Sequence, residues 1–65
     1  MYKCRLKAIL AEREIEQKVF AEQVGMSQTT LSLLVRNRTK PSFEKAMKIA
    51  ELLEMKVEDI WVKEE

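Results

Sequence analysis

The chain has 65 residues, of which 46% are hydrophobic and 35% are charged, and its formal net charge is +1. This length predicts one small domain over residues 1–65, and the composition is typical of a folded protein and not of a disordered one. There is no histidine and only one cysteine, Cys4, so neither a zinc site nor an internal disulfide is predicted. We expect no metal and no cofactor.

Other classes of protein are also disfavoured. No apolar run reaches the roughly 18 to 20 residues that span a bilayer, and the basic N-terminus is not followed by the apolar stretch of a signal peptide, so we expect a cytoplasmic protein. The sequence has no nucleophile beside a base and no glycine-rich phosphate loop, so we do not expect an enzyme. Cys4 is predicted to be a partly buried apolar side chain. The alternative is a reactive thiol whose pKa is lowered by Lys3 and Arg5.

Apolar residues recur at helical spacing and strand signals are weak, so the sequence predicts a compact all-α fold of five helices. In chain order, the predicted helices are Lys3 to about Glu14, Gln17 to Val24, a third between Ser27 and Asn37, Phe43 to about Leu53, and Val57 to about Trp61. Their predicted buried residues are Leu6, Ile9, Leu10, Phe20, Ala21, Val24, Leu31, Leu34, Phe43, Ala46, Met47, Ile49, Ala50, Leu53, Val57, Ile60 and Trp61. Residues 63–65 are expected to fray.

Local signals mark the ends of the third helix. Ser27 is a good N-cap, because its hydroxyl can accept a hydrogen bond from an unpaired backbone N–H group. Asn37 is placed to end this helix, since asparagine tolerates the left-handed backbone conformation better than most residues. Gly25 reaches a positive φ without steric cost and is predicted to form the tight turn between the second and third helices.

Charge is unevenly distributed along the chain. Residues 25–43 contain three basic and no acidic side chains, whereas residues 44–65 carry a net charge of −3. Clustered positive charge is typical of a surface that binds phosphate, and we expect the acidic end to point away from such a ligand.

The spacing from Gln17 to Leu34 is Gln-x-x-φ-Ala-x-x-φ-Gly-φ-x-x-x-x-φ-x-x-φ, where φ is apolar. Two short helices that cross closely around a glycine turn are predicted, as in a helix-turn-helix. The second of these helices has an uncharged polar face and is followed by basic residues, which suits insertion into a DNA groove. Two ordinary helices with an incidental glycine are the alternative.

On these residues the chain resembles the phage-repressor/Cro-type helix-turn-helix family over about Cys4 to Trp61. The matching text is Arg5-Leu6-Lys7, Gln17, Ala21, Gly25, Ser27-Gln28-Thr29-Thr30-Leu31-Ser32, Lys40-Pro41-Ser42 and Lys48-Ile49-Ala50. The resemblance implies a five-helix, repressor-like DNA-binding domain with the helix-turn-helix at helices 2 and 3. It also implies that the third helix lies in the major groove, and that the protein binds operator DNA as a homodimer and regulates transcription.

Candidate DNA contacts follow from the phase of the third helix and from the basic loop. At about 100° per residue, four side chains fall opposite Leu31 and Leu34 and are predicted to read bases, although a solvated polar face is the alternative. These predicted base-reading residues are Gln28, Thr29, Ser32 and Leu33. Gln17 is predicted to contact a phosphate from the start of the second helix, and an exposed helix-start residue is the alternative. The other predicted phosphate contacts are Thr30, Arg36, Arg38, Thr39 and Lys40, for which a solvated basic loop is the alternative.

The chain departs from the family at several positions. Leu10 and Val35 replace an arginine and a glutamate that pair in many members, so we predict an apolar contact there. Other departures fall at helix ends: Glu16 and Lys56 replace capping residues, and Glu14, Asn37 and Glu54 replace turn glycines. Leu33 stands where many relatives have a polar base-reading residue, so the target sequence does not follow from the resemblance.

Apolar residues near the C-terminus exceed what so small a domain buries easily. Met55, Val57, Trp61 and Val62 are therefore predicted to form a dimer interface, with Trp61 as a plug in the core as the alternative. We expect double-stranded DNA with a near-palindromic operator as the partner, and no membrane or small-molecule ligand. The competing function is a small protein-binding module, such as an antitoxin or a bridging factor, whose distinguishing feature would be an extra apolar patch.

Overall fold

Two short strands bring the ends of the chain together, and the helices lie between them in sequence. The computed structural model describes residues 2–64. Within them the elements are β1 (Tyr2–Cys4), α1 (Leu6–Glu12), α2 (Gln17–Val24), α3 (Gln28–Val35), α4 (Phe43–Leu53), α5 (Val57–Ile60) and β2 (Trp61–Lys63). The strands are antiparallel, with Tyr2 opposite Lys63 and Cys4 opposite Trp61. The bounds predicted for α2 and α4 are confirmed.

The domain is mostly helical, as predicted, but the all-α prediction missed the two-stranded sheet. The helix predicted from Lys3 begins instead at Leu6, because the three residues of β1 pair with β2. A bond of 2.8 Å from the Arg5 N–H to the Ile60 carbonyl oxygen continues this pairing towards the helices. Trp61 likewise begins β2 instead of ending α5. Lys63, expected in the frayed tail, pairs with Tyr2, and Glu65 lies outside the described residues.

One apolar cluster holds the elements together. Its buried members are Cys4, Leu6, Ile9, Leu10, Phe20, Ala21, Val24, Leu31, Leu34, Val35, Ile49, Ala50, Leu53 and Ile60. Leu10 and Val35, for which the resemblance led us to predict an apolar contact in place of a charged pair, are both buried in this cluster. The arrangement spares the molecule the desolvation of two charges, which is costly in a protein interior.

Two residues of α4 were predicted to be buried and are not. Phe43 is 79% exposed and Met47 is 47% exposed, while Ala46 is half-buried. Phe43 lies in the first turn, before the first fully buried residue of the helix, Ile49. Met47 lies about 120° around the helix from Leu53, at about 100° per residue, and so falls outside the buried stripe. The periodicity identified the helix correctly but overestimated the width of its buried face.

Helices α1 to α4 end in the same way. Each is followed by a residue with positive φ, and these are Glu14 (56°), Gly25 (84°), Asn37 (59°) and Glu54 (54°). The next N–H group then bonds to the carbonyl five residues earlier, in the pairs Ile15–Leu10, Met26–Ala21, Arg38–Leu33 and Met55–Ala50, at 2.9 to 3.0 Å. This is the Schellman motif, which satisfies carbonyls that a helix end leaves unpaired. The predicted roles of Gly25 and Asn37 at helix ends are confirmed.

Helix beginnings follow the sequence equally closely. Ser27 caps α3 and Ser42 caps α4, accepting hydrogen bonds from the N–H groups of Thr30 and Lys45. Glu16, by contrast, provides no side-chain cap to α2. None of the helices within residues 2–64 is long and apolar enough to cross a membrane.

Candidate nucleic-acid interface

The turn between α2 and α3 sets the direction of α3. Gly25 has a φ of 84°, and a β-carbon added there would lie 3.5 Å from the Lys45 Nζ atom, which is an ordinary contact. The positive φ, and not lack of space, therefore favours glycine at this position. Ala21 and Val24 of α2 and Leu31 of α3 are buried in the core on either side of the turn, so the helices cross through small and medium-sized apolar side chains.

Lys45 contacts this turn from α4. Its Nζ atom donates to the carbonyl oxygens of Val24 and Gly25, each at 3.2 Å. The sequence analysis did not single out this residue. Its place in the first turn of α4 was no signal, because Lys7 and Lys18 lie in the first turns of α1 and α2 in the same way.

The exposed face of α3 carries the four predicted base-reading residues. Gln28 and Thr29 are exposed, Leu33 is 37% exposed, and Ser32 is half-buried. At about 100° per residue, all four lie 100° or more around the helix from the buried Leu34, whereas Gln28 lies only about 60° from Leu31 and is exposed in the first turn of the helix. The structure therefore brings together an amide, two hydroxyl groups and an apolar tip on one uncharged face.

Thr30 lies beside this face and takes part in the N-terminal cap. Its backbone N–H donates to the Ser27 Oγ atom at 3.1 Å, and the Ser27 hydroxyl donates to the Thr30 Oγ1 atom at 2.8 Å. Since Thr30 accepts in this bond, its own hydroxyl hydrogen can still be donated to another acceptor. The side chain is exposed, as a phosphate contact requires.

The remaining predicted phosphate contacts lie at two places. Gln17 is half-buried at the first position of α2, whose N-terminal N–H groups receive no side-chain cap. Such a helix start favours an anion. The other residues are exposed and follow one another from the end of α3 into the loop: Arg36, Arg38, Thr39 and Lys40. The Nε atom of Arg36 donates to the Ser32 carbonyl oxygen at 3.3 Å, which holds its side chain along α3.

The turn after α3 differs from the other three helix ends. There the residue that follows the positive φ is Arg38, which is exposed. In the other turns the equivalent residues are apolar and pack partly buried against the core, namely Ile15, Met26 and Met55. The Asn37 Nδ2 atom instead donates to the Tyr2 carbonyl oxygen at 3.1 Å and ties this turn to β1. In the turn after α3, which follows the uncharged face of that helix, the position that is apolar and partly buried in the other turns is thus occupied by an exposed cation, Arg38.

The residues predicted to form a dimer interface lie in and beside the sheet of β1 and β2, at what we call the sheet end of the molecule. Met55, Val57, Trp61 and Val62 are all half-buried. Trp61 packs against the core while it also lines a surface groove with Val57 and Tyr2. Trp61 therefore combines the core packing of one predicted role, a plug in the core, with the partial exposure that the other, a dimer contact, requires. Tyr2, which is 51% exposed, is an apolar member of this surface that the sequence analysis missed.

Cys4 is a buried core residue. Burial raises the pKa of its thiol, and a backbone hydrogen bond with Leu6 opposes this effect only in part. The alternative of a reactive thiol with a lowered pKa was therefore wrong, because desolvation disfavours the thiolate.

Comparisons with known proteins agree with this geometry. The sequence model of the Cro/C1-type HTH (helix-turn-helix) DNA-binding domain matches residues 5–64. The chain is 33% identical to an uncharacterised HTH-type transcriptional regulator of Archaeoglobus fulgidus over 61 residues, which are 94% of this chain and 86% of that protein. It is also 32% identical to an uncharacterised HTH-type transcriptional regulator of Methanocaldococcus jannaschii over 63 residues, which are 97% of this chain and 96% of that protein.

Proposed function

The chain belongs to the family of Cro/C1-type helix-turn-helix DNA-binding domains, and on that premise we propose that it is a homodimeric, repressor-like regulator that reads the major groove with α3. DNA binding and transcription regulation are supported by the family and by the names of both archaeal relatives. The helix-turn-helix is formed by α2 and α3 in this proposal. The observation that carries it is the uncharged exposed face of α3, which continues directly into an exposed, acid-free basic loop.

Each residue of the α3 face has a chemical counterpart on a base edge. The Gln28 amide has a donor and an acceptor that match N6 and N7 of adenine, and it lies in the first turn of the helix, the part that enters the groove most deeply. Thr29 and Ser32 offer hydroxyl groups that donate or accept. Leu33 offers an apolar tip for the methyl group of thymine.

Phosphate contacts on both sides of this face would fix its register on the duplex without reading sequence. Gln17 and the N-terminal N–H groups of α2 face one phosphate, and the Thr30 hydroxyl hydrogen reaches another. Beyond the end of α3, the DNA backbone is contacted by the side chains of four residues: Arg36, Arg38, Thr39 and Lys40. The net charge of +3 over residues 25–43 supports this arrangement.

A second copy of the chain would complete the binding unit. Met55, Val57, Trp61 and Val62 expose part of their apolar surface at the sheet end, and their pairing across a two-fold axis would bury it. Two α3 helices about 34 Å apart, one turn of DNA, would then read a near-palindromic operator. No small-molecule ligand is needed for this activity.

Selection of bound sequences from a random duplex library tests the proposal. A dyad-symmetric motif would support sequence reading and two-fold stoichiometry together. Gln28→Ala should then weaken binding to the selected site by about 1 to 3 kcal/mol and relax the preference at one base pair. The matched control is Gln23→Ala, which removes an exposed amide from α2. Equal losses on selected and random DNA would contradict a base-reading role for Gln28.

One observation favours a second function. Phe43 and Met47, one helical turn apart on α4, form an extra exposed apolar patch, which is the feature expected of a protein-binding module such as an antitoxin or a bridging factor. The same selection separates the two functions. A protein-binding module would enrich no sequence even at low salt, where electrostatic attraction to DNA is strongest.

A further inference from the structure

A cationic side chain from α4 closes the turn that orients α3. The Lys45 ammonium group bridges the carbonyl oxygens of Val24 and Gly25, 21 and 20 residues away in sequence, at 3.2 Å each. These carbonyls lie at the end of α2, where the helix leaves acceptors without intrahelical partners and where its dipole favours a positive charge. Lys45 therefore stabilises the end of α2 in two ways, by hydrogen bonds to the two carbonyl oxygens and by a favourable interaction of its charge with the helix dipole.

Lys45 is itself fixed at its backbone. Its N–H group donates to the Ser42 Oγ atom at 3.2 Å, which is the N-terminal cap of α4. The side chain is half-buried, so fewer rotamers compete with the bridging one. The start of α4 is thus connected through one residue to the turn between α2 and α3.

We propose that Lys45 is a positioning residue for DNA recognition, which holds the α2–α3 turn so that the face of α3 meets the groove at the correct angle. It acts through the two turn carbonyls and not by contact with DNA. The inference rests on the proposed function, since it assigns Lys45 to the same interface.

The molecule contains a matched contact at another helix end. The Arg13 Nη1 atom donates to the Leu53 carbonyl oxygen at 2.8 Å and closes the end of α4 as Lys45 closes the end of α2. Leu53 lies eight residues beyond Lys45, about 12 Å along the axis of α4. Both contacts join a cation to a helix end from a distant part of the sequence, but only that of Lys45 touches the turn before α3.

The experiment compares Lys45→Met, Lys45→Arg and Arg13→Met with the wild type on the selected operator at several salt concentrations. Methionine keeps an apolar stem of similar length and removes the donors, and the exposed Gly25 carbonyl can then bind water, so the variant should fold. Lys45→Met should bind about tenfold more weakly, as expected for loss of charge-assisted hydrogen bonds. Its salt dependence should match the wild type, and Lys45→Arg should recover most of the affinity. Arg13→Met should keep wild-type affinity well below its melting temperature.

Amide hydrogen exchange supplies a readout that does not require DNA. The Met26 N–H bonds to the Ala21 carbonyl oxygen, and the Met55 N–H bonds to that of Ala50, both at 3.0 Å. Lys45→Met should speed exchange at Met26 and leave Met55 unchanged, whereas Arg13→Met should do the reverse.

The outcomes are distinct. A salt slope reduced by about 0.9 in Lys45→Met would make Lys45 a direct phosphate contact and overturn the inference. Unchanged affinity, or equal losses in Lys45→Met and Arg13→Met, would overturn it as well. Failure of the wild type to prefer any duplex would instead remove the proposed function, and faster exchange at Met26 would then still support the hold of Lys45 on the turn.

Discussion

The turn after α3 and the turns after α1, α2 and α4 share one backbone motif but anchor it differently. In all four, a residue with positive φ is followed by an N–H group that bonds back to the carbonyl five residues earlier. Three of them are anchored by an apolar side chain on the core, from Ile15, Met26 or Met55. The turn after α3 is anchored by the bond from Asn37 to the Tyr2 carbonyl oxygen, and its next residue, Arg38, is exposed.

Under the proposed function, this difference separates the turns that stabilise the core from the turn that contacts DNA. A turn closed by an apolar residue contributes to the core and leaves little free for a ligand. In the turn after α3, the bond from the Asn37 side-chain amide to the Tyr2 carbonyl oxygen of β1 keeps the same backbone path, and the charged side chain of Arg38 is exposed. If the loop that begins with Arg38 contacts DNA as proposed, it does so at little cost to the apolar core.

The largest effect expected from this comparison is on stability. Ile15→Ala should lower the free energy of unfolding by about 1 to 2.5 kcal/mol, half of the ~2 to 5 kcal/mol typical of a fully buried site, because Ile15 is half-buried. Arg38→Ala should change it by less than about 0.5 kcal/mol, as for most surface positions. Urea denaturation measures both. Similar losses in the two variants would mean that Arg38 also anchors its turn.

In DNA binding, by contrast, Arg38→Ala should have the larger effect of these two variants. Arg38→Ala should weaken binding to all duplexes alike and reduce the slope of log K against log salt by about 0.9, because one phosphate contact is lost. Ile15→Ala should leave the slope unchanged under conditions where it is folded. Lys63→Ala, which removes the same charge from β2, is the control for net charge. An unaltered slope in Arg38→Ala would remove Arg38 from the phosphate contacts.

Substitutions at the positive-φ positions should have a smaller effect on the free energy of unfolding. The effect should be stabilising in the turn after α4 and destabilising in the turn after α2. Glu54→Gly should stabilise the protein by about 1 kcal/mol, because a side chain with a β-carbon is strained at a φ of 54°. Gly25→Ala should destabilise it by about 1 to 2 kcal/mol for the same reason, since space for a β-carbon exists there. Thermal melts would check both. A neutral Gly25→Ala would show that the turn relaxes and that its φ is not strictly required.

Sequence reasoning succeeded where the signal is local. Gly25 marks the end of α2, and Ser27 and Ser42 mark the starts of α3 and α4. The exposure of Thr29 follows from the phase of α3, whereas Gln28 lies only about 60° from the buried Leu31 and is exposed because it begins the helix. The base-reading role of both residues stays a prediction. Phe43 shows the limit of periodicity, which identifies a helix but does not say where the core ends.

The features that the sequence analysis missed depend on contacts between distant residues. Strands β1 and β2 are three residues each, too short for an alternating pattern, and they pair only because the folded helices bring the chain ends together. The bonds from Lys45 to the α2–α3 turn and from Arg13 to Leu53 join residues that are 20 to 40 positions apart. No spacing rule links such positions before the fold is known.

Among the substitutions at the positive-φ positions, the smallest effect on stability is expected at Asn37. Asn37→Gly removes the bond to the Tyr2 carbonyl oxygen, which is exposed and contributes about 0.5 to 1.5 kcal/mol at most. Glycine, however, relieves the strain of a positive φ, so the free energy of unfolding should fall by less than about 1 kcal/mol. Without its anchor, the loop from Arg38 to Lys40 should become less ordered, and affinity for all duplexes should decrease with no change in base preference. If affinity were unchanged, the anchor would be irrelevant to binding, and the contrast between this turn and the other three would concern stability alone.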